Sequence, residues 1–199
     1  MKQIFLISGK RTCGKDITTT FIKKYFEELG LKVNVASFAN EFKRLFCLET
    51  GLDFDRMLND YKYKEIYRDK MVDRYTEMHE QYGEDYFCNL LLENIKTTQA
   101  DIFIIPDFRL KIEMKMFLRL DKKEYEVKTI RVNAILETRI KRGWIQKPCD
   151  KGFTETELDD YKDFDIIIDN DNTLDELEKK IYEHLDHMSK KIETFVENK

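Results

Sequence analysis

Short apolar runs alternate with longer segments of helical spacing along this 199-residue chain. The runs are rich in Ile, Val and Phe and are apolar on both faces, which is typical of strands buried inside a parallel sheet. The segments between them mix polar and apolar positions as amphipathic helices do. We therefore predict an α/β fold with a central parallel sheet and helices on both sides. The five predicted strands are residues 3–8, 32–38, 101–108, 127–134 and 164–169.

The connections between these strands differ in length and regularity. Residues 39–99 contain no strand pattern and predict several helices. Thr173 and Glu176 have capping-box spacing, so we expect the last helix to begin at Thr173. The least regular stretch, residues 142–163, lies between the fourth and fifth predicted strands and indicates a mobile flap. We expect a single domain over residues 1–199 with a helical lid at residues 139–163.

Composition narrows the class of protein. The chain is 42% hydrophobic and 37% charged, as soluble globular proteins are, and it has no apolar run of membrane-spanning length. A formal net charge of -4 argues against a general nucleic-acid binder. We expect a cytoplasmic, monomeric protein with no membrane or nucleic-acid partner. The four cysteines are widely spaced and are expected to be free thiols: Cys13, Cys47, Cys88 and Cys149.

The spacing G-x-x-x-x-G-K at Gly9, Gly14 and Lys15 follows the first predicted strand and precedes a helical pattern. Glycines there let backbone N–H groups curl around phosphate oxygens, the helix directs its positive end at them, and lysine bridges the outer phosphates. A structural strand-to-helix turn is the alternative. The context favours binding of a nucleoside triphosphate, ATP, by the whole loop: Gly9, Lys10, Arg11, Thr12, Cys13, Gly14 and Lys15.

Asp16 stands where such loops normally carry a Ser or Thr hydroxyl that binds Mg²⁺. A carboxylate can take over this role directly or through water, because Mg²⁺ prefers oxygen ligands. Alternatively, Asp16 only stabilises the first helical turn through the helix dipole, by about 0.3–1 kcal/mol. Asp107, at the end of the third predicted strand, is a second candidate for Mg²⁺, and its alternative is a turn residue.

Several cations lie where predicted strands end or loops begin. A kinase that phosphorylates a phosphate group must neutralise a second anion beside the nucleotide, and arginine grips phosphate with a two-pronged fork. Each cation alone is more often a solvated surface charge. Arg109 is the strongest candidate because ligands gather at the carboxyl ends of parallel strands. The full set is Lys43, Lys64, Arg68, Arg109, Arg131, Arg139 and Arg142, with Asn170 and Asp171 placed to touch the ligands.

These motifs together resemble the animal-type phosphomevalonate kinases, which have the nucleoside monophosphate kinase fold. The segment SGKRTCGKD at residues 8–16 is similar to that family's SGKR-x-x-GKD loop, so Asp16 becomes a family feature. Further matches follow in the same order and span nearly the whole chain. They are GLDFDRML at 51–58, YKEIYRDKM at 63–71, DYFC at 85–88, DFR at 107–109, RVNAILETRIKRGW at 131–144 and KDFDIIIDND at 162–171.

The resemblance implies a three-layer P-loop kinase fold and transfer of the γ-phosphate of ATP to (R)-5-phosphomevalonate, with Mg²⁺. Under it, the nucleotide loop includes Lys10, Arg11, Gly14, Lys15 and Asp16. Lys64, Arg68, Arg109 and Arg131 line the cleft, whereas Arg139 and Arg142 belong to the lid. Asn170 and Asp171 lie near the ligands. We expect the transfer itself to depend on Lys15, Arg11, Asp16 and Arg109.

The sequence also departs from that family. Thr12 and Leu110 stand where a lysine and a second arginine are usual, and Pro106 replaces a serine. A phage-type deoxynucleoside monophosphate kinase is therefore the alternative enzyme, and it requires Phe38, Phe42 or Phe108 to face the acceptor cleft. The third possibility is a nucleotide-binding module without turnover. In either enzymatic reading the partner is a small phosphorylated acceptor.

Overall fold

The computed structural model describes the backbone of residues 1–196 and the side chains of residues 1–148 and 150–188. Its centre is a sheet of five strands, all parallel, in the order β2-β3-β1-β4-β5. This confirms the predicted fold class. The strands are β1 (Lys2–Ser8), β2 (Val33–Val35), β3 (Ile102–Ile105), β4 (Tyr125–Asn133) and β5 (Ile166–Asp169).

The sheet is covered on both faces because its central strand is apolar on both faces. Phe5 and Ile7 of β1 join one buried cluster, which also contains Ile22 and Leu177. Ile4 and Leu6 point the other way and join a second cluster with Leu91 and Phe117. Alternate residues of one strand thus enter opposite layers, as the two-residue period of a strand requires. The result is the three-layer arrangement expected from the sequence.

Helices account for most of the remaining chain, and several of them follow β2, as predicted. The bounds are α1 (Lys15–Glu28), α2 (Phe38–Thr50), α3 (Phe54–Asn59), α4 (Tyr61–Ile66), α5 (Arg68–Tyr82), α6 (Tyr86–Thr97), α7 (Lys111–Leu118), α8 (Leu136–Lys141), α9 (Phe153–Thr156) and α10 (Leu174–Val196). A 3-10 turn at Pro148–Lys151 lies between α8 and α9. The predicted lid range, residues 139–163, therefore contains the end of α8, the 3-10 turn and α9, joined by irregular backbone.

Three observed strands are shorter than predicted. The fifth begins at Ile166 instead of residue 164, and the second and third differ more. The second was expected to reach residue 38, but Ser37 caps α2 by accepting the N–H of Asn40, so Phe38 is already helical. The third was expected to reach residue 108, but β3 ends at Ile105, before Pro106. Phe38 and Phe108 are buried all the same, which explains why the apolar pattern outlasts the strands.

The predicted start of the last helix is close to the observed one. Thr173 precedes α10, and its hydroxyl accepts the N–H of Glu176 at 3.3 Å. Among the described cysteines, Cys13, Cys47 and Cys88 are free and buried. Cys149 lies outside the described side chains. No helix in the described part of the chain is both long enough and apolar enough to cross a membrane.

Candidate active site

The loop between β1 and α1 wraps around the ammonium group of its own lysine. Lys15 Nζ donates to the carbonyl oxygens of Gly9 at 2.7 Å and Lys10 at 3.0 Å. Burial lowers the pKa of Lys15, and the positive charges of Arg109 and Arg131 lower it further. Arg109 follows β3 and Arg131 lies near the end of β4, so cations from two neighbouring strands act on the lysine of the loop after β1.

The two glycines of this loop allow unusually close packing. An added Cβ on Gly9 would overlap the carbonyl oxygen of Val132, and one on Gly14 would overlap the side-chain amide of Asn170. Gly14 also has a φ of 103°, in the left-handed region that glycine tolerates best. Thr12 has a φ of 62° and is the one described residue other than glycine with positive φ. The loop therefore takes the tight turn predicted from its glycine spacing.

Arg109 reaches the cleft from a turn that a buried glutamate holds in place. Oε2 of Glu113 accepts the backbone N–H groups of Arg109 at 2.7 Å and Leu110 at 2.8 Å. Burial raises the pKa of Glu113 to about 8, against the opposing effect of these hydrogen bonds. The guanidinium of Arg109 in turn contacts the carboxylate of Glu155 and the carbonyl oxygen of Thr154.

Arg131 and Lys10 share a carboxylate in the predicted lid. Arg131 donates to Ser8 Oγ and to Asp159 Oδ1, both at 3.0 Å. Lys10 Nζ donates to Asp159 Oδ2 and to the carbonyl oxygen of Glu155, both at 2.5 Å. Arg11, in the same loop as Lys10, pairs with Asp150 at 2.9 Å.

The segment after β5 contacts the glycine loop and holds it in position. Asn170 is 2% exposed; its amide nitrogen donates to the carbonyl oxygen of Cys13 at 2.9 Å, and its oxygen accepts from Arg142 at 3.2 Å. Asp171 Oδ1 accepts the N–H of Ile135, just before α8. The buried amide of Asn170 thus holds the glycine loop in position, and its predicted contact with substrate stays a prediction.

Arg139, predicted to bind nucleotide phosphates, packs its guanidinium 4.6 Å above the ring of Trp144. Its Nε is buried and has no acceptor among the described residues. Cys13 is also buried, which raises the pKa of its thiol, and Lys15, Arg131 and Arg139 are close enough to oppose that rise. Arg139 therefore lies beside the glycine loop, and its Nε–H is a hydrogen-bond donor without an acceptor among the described residues.

A second group of predicted cations lies on the helical side of the cleft. Burial lowers the pKa of Lys43, and the nearby positive charge of Lys64 lowers it further. The two lysines therefore lie close together, with Asp107 near enough to act in the opposite direction. Arg68 differs from them because it is exposed and pairs with Glu65 at 2.5 and 2.7 Å. Its predicted contact with substrate stays a prediction.

The two candidate Mg²⁺ ligands have different surroundings. Asp16 is an exposed carboxylate in the first turn of α1, next to Lys15. Asp107 instead accepts hydrogen bonds from the hydroxyl of Ser37 and the N–H groups of Phe38 and Ala39, at 2.7, 3.2 and 2.9 Å. Both of its oxygens are occupied by the start of α2. Asp107 therefore anchors α2, and the exposed Asp16 is the better placed of the two candidates; Mg²⁺ binding by either residue stays a prediction.

Two cavities border this group of residues. The smaller, of about 260 Å³, is lined by residues that include Lys10, Arg139, Trp144, Asp150, Lys151 and Glu155. The larger, of about 790 Å³, lies beyond the Arg109 turn and is lined by Leu110, aromatic side chains and the carboxylates of Glu80, Glu84 and Glu157. The smaller cavity is thus the one of the two whose described lining contains cations.

Sequence reasoning missed the acidic partners of the cleft cations: Asp150, Glu155, Asp159 and the buried Glu113. The first three belong to a polar stretch that looks like any solvated loop. No local pattern distinguishes them, because their partners lie 28 to 149 residues away.

Comparison with known proteins gives a consistent result. A family profile for phosphomevalonate kinase matches residues 7–124. A Drosophila melanogaster protein named phosphomevalonate kinase is 34% identical over 180 residues, which are 88% of this chain and 92% of the relative. Among solved structures, shikimate kinase from Aquifex aeolicus covers 94% of this chain and 98% of its own, at 16% identity and a TM-score of 0.48. The APS kinase of Mycobacterium tuberculosis, in complex with AMPPNP and APS, covers 93% of this chain and 98% of its own, at 14% identity and a TM-score of 0.47. The profile match and the Drosophila relative together show that the chain belongs to the phosphomevalonate kinase family.

Proposed function

We propose that this protein is an ATP-dependent kinase that converts (R)-5-phosphomevalonate to (R)-5-diphosphomevalonate. The observation that carries the proposal is the grouping of cations beside the glycine loop. Lys10 and Arg131 share Asp159, and Lys10 and Arg109 both contact Glu155. Burial lowers the pKa of Lys15, and the positive charges of Arg109 and Arg131 lower it further. Such a concentration of positive charge suits two phosphorylated ligands held end to end. Membership of the phosphomevalonate kinase family supports the choice of acceptor.

In this proposal the glycine loop holds the nucleotide. Its backbone N–H groups and the positive end of α1 face the β- and γ-phosphates, and Lys15 leaves its two carbonyl partners to bridge them. Arg139, with its unused Nε donor, and Arg142 complete the phosphate contacts from the lid side. Mg²⁺, when bound, would neutralise charge between the β- and γ-phosphates, and Asp16 is the residue that would hold it.

The acceptor phosphate would bind between Arg109 and Arg131, with Lys43 and Lys64 on its other side. One of its ionised oxygens attacks the γ-phosphorus, the bond to the β–γ bridging oxygen breaks, and ADP leaves with that electron pair. No general base is required, because the attacking oxygen carries no proton. The chain's contribution is to align the two phosphates and to stabilise the charge that develops in the transition state.

The structure disfavours the alternative of a deoxynucleoside monophosphate kinase. That function needs an aromatic face for the base of the acceptor, yet the three candidate rings are buried. Phe38 packs edge-on against Phe117, Phe42 packs among other aromatic rings, and Phe108 is 0% exposed. None of these rings faces an open cleft, so the expected stacking is wrong for this chain.

A panel of acceptors tests the proposal. ADP release is measured with Mg-ATP and, separately, (R)-5-phosphomevalonate, dTMP, dGMP or no acceptor. We expect release only with (R)-5-phosphomevalonate, and we expect the variant Lys15→Ala to abolish it. Arg119→Ala is the matched control, because Arg119 is an exposed cation at the end of α7. ADP release that depends on dTMP or dGMP would overturn the proposal, as would ATP binding without any turnover.

A further inference from the structure

Two lid carboxylates form ion pairs with cations that the proposed function assigns to phosphate binding. We call Glu155 and Asp159 the lid acids. Glu155 contacts Arg109 through its carboxylate and Lys10 through its carbonyl oxygen. Asp159 uses one oxygen for Arg131 and the other for Lys10. The lid acids thus engage cations from the ends of β1, β3 and β4 at once.

These contacts use the donors that a phosphate would need. A phosphate group and a carboxylate both accept charge-assisted hydrogen bonds from guanidinium and ammonium groups, with similar geometry. One N–H group cannot serve both at full strength. A carboxylate that stays close to incoming phosphates also repels them, and this repulsion is strong in a partly enclosed cleft. Ligand binding must therefore release these pairs.

Of the two lid acids, Glu155 is the better shielded. The side chain of Glu155 is 6% exposed, whereas that of Asp159 is 38% exposed and that of its partner Arg131 is 13% exposed. Exposed ion pairs contribute little and are screened by salt, whereas shielded ones persist. Asp160, beside Asp159, is exposed, and Glu157 faces the larger cavity. Glu155 and Asp159 thus pair with Lys10, Arg109 and Arg131, and Asp150 pairs with Arg11 of the glycine loop.

We propose that Glu155 and Asp159 are specificity residues that set how much negative charge a ligand must carry to be held in the cleft. A ligand has to displace both carboxylates, so polyphosphates and pairs of phosphorylated ligands bind well and single, weakly charged anions bind poorly. This inference rests on the proposed function for the identity of the natural ligands. It concerns binding, however, and needs no turnover.

Inorganic pyrophosphate is the probe, and titration calorimetry at a fixed low salt concentration is the measurement. Glu155→Gln and Asp159→Asn keep the shape of each side chain and remove its charge. We expect each variant to bind pyrophosphate about 3- to 10-fold more tightly than the unmodified protein, as expected from the loss of one competing ion pair. Asp160→Asn is the matched control and should leave the affinity unchanged.

A second variant separates charge from shape. Glu155→Asp keeps the charge on a side chain one carbon shorter, so its affinity should stay within about twofold of the unmodified protein. Urea unfolding checks that all variants are folded. The proposal fails if the neutral variants bind pyrophosphate equally or more weakly, or if Asp160→Asn tightens binding as much. Failure of the proposed function looks different, because it removes acceptor-dependent ADP release and leaves these affinities as predicted.

Discussion

At the scale of single residues, the candidate site depends on cations that are held in place and can still bind an anionic ligand. Lys15 is paired with carbonyl oxygens and with no carboxylate in the part of the chain that is described. Such dipoles hold an ammonium group in place without neutralising it, so its full charge remains for a ligand. Arg109 is held differently, because its backbone is fixed by Glu113 and its guanidinium reaches across to the lid.

The variant Arg109→Ala should separate acceptor use from nucleotide binding. Its guanidinium is expected to contact the transferring phosphates, and loss of one such group costs about 10²- to 10³-fold in kcat/KM for the acceptor. The affinity for Mg-ATP, measured by calorimetry without acceptor, should change little. Arg119→Ala again serves as the control. A kcat/KM within threefold of the unmodified enzyme would remove Arg109 from the site.

Glu113 gives a prediction about pH. Burial raises its pKa to about 8 in the folded chain from an ordinary value of 4.5. Between these two values the unfolded chain has released a proton that the folded chain still binds. The stabilisation is therefore complete below pH 4.5 and is lost as the pH rises towards 8. Glu113→Gln stays neutral, so its free energy of unfolding should fall less steeply with pH, by about 1 kcal/mol per pH unit.

Urea unfolding of both proteins at several pH values between 5 and 8, on the order of half a unit apart, measures these slopes. Glu124→Gln is the control, because Glu124 is an exposed glutamate at the start of β4. Parallel pH profiles for Glu113→Gln and the unmodified protein would contradict the assignment.

The sequence indicates the parts of the candidate site whose geometry depends on local spacing, but it does not indicate contacts with a distant partner. Gly9, Gly14 and Lys15 form their loop within seven residues, so the pattern contains the geometry. Asp107 looked like a metal ligand, but its partners lie about 70 residues earlier, at the start of α2. Asn170 likewise contacts a loop 157 residues away. No reading of neighbouring residues supplies such contacts.

At the scale of elements, all five strands could be predicted because each contains a run of apolar residues. The two edge strands leave part of that run exposed, at Val35 of β2 and Ile167 of β5. The strand ends were harder to predict, because burial continues past the last ladder hydrogen bond. Phe38 is 7% exposed although it begins a helix, and Phe108 is 0% exposed in a turn. Capping decides such boundaries. At the start of α2, Ser37 is the N-cap, and Asp107, just after β3, also accepts N–H groups of the first turn. That contact ties a helix on the acceptor side of the cleft to the sheet.

Substitution of Asp107 distinguishes anchoring of α2 from metal binding. Asp107→Asn keeps the shape but weakens the acceptor for two helix N–H groups, so the free energy of unfolding should fall by about 0.5–2 kcal/mol. The Mg²⁺ concentration that gives half-maximal ADP release should stay the same. Asp16→Asn should do the reverse, raising that Mg²⁺ concentration about tenfold and changing stability little. A higher Mg²⁺ requirement in Asp107→Asn would restore Asp107 as a metal ligand.

At the scale of the whole molecule, a chain with a net charge of -4 contains a strongly basic cleft. The contrast is possible because three lid carboxylates form ion pairs with the arginines of the cleft. They are Asp150, Glu155 and Asp159. Composition alone predicted the absence of a broad basic surface. It did not predict where the opposite charges meet, since that depends on the lid folding over the ends of three strands.

Trp144 makes the movement of this lid measurable, because it is the one tryptophan in the sequence. Its ring lies under Arg139 and lines the smaller cavity together with Lys10 and Asp150. Phosphates that draw Arg139 and Lys10 towards them must change the surroundings of this ring. We expect Mg-ATP to change its fluorescence in a saturable manner, with an apparent Kd at least about tenfold weaker in Lys15→Ala, which lacks a charge-assisted contact to the phosphates. Neutralising Glu155 should shift the same titration to lower ligand concentrations, because one competing anion has been removed. A fluorescence signal that does not respond to Mg-ATP would show that nucleotide binds without moving the lid.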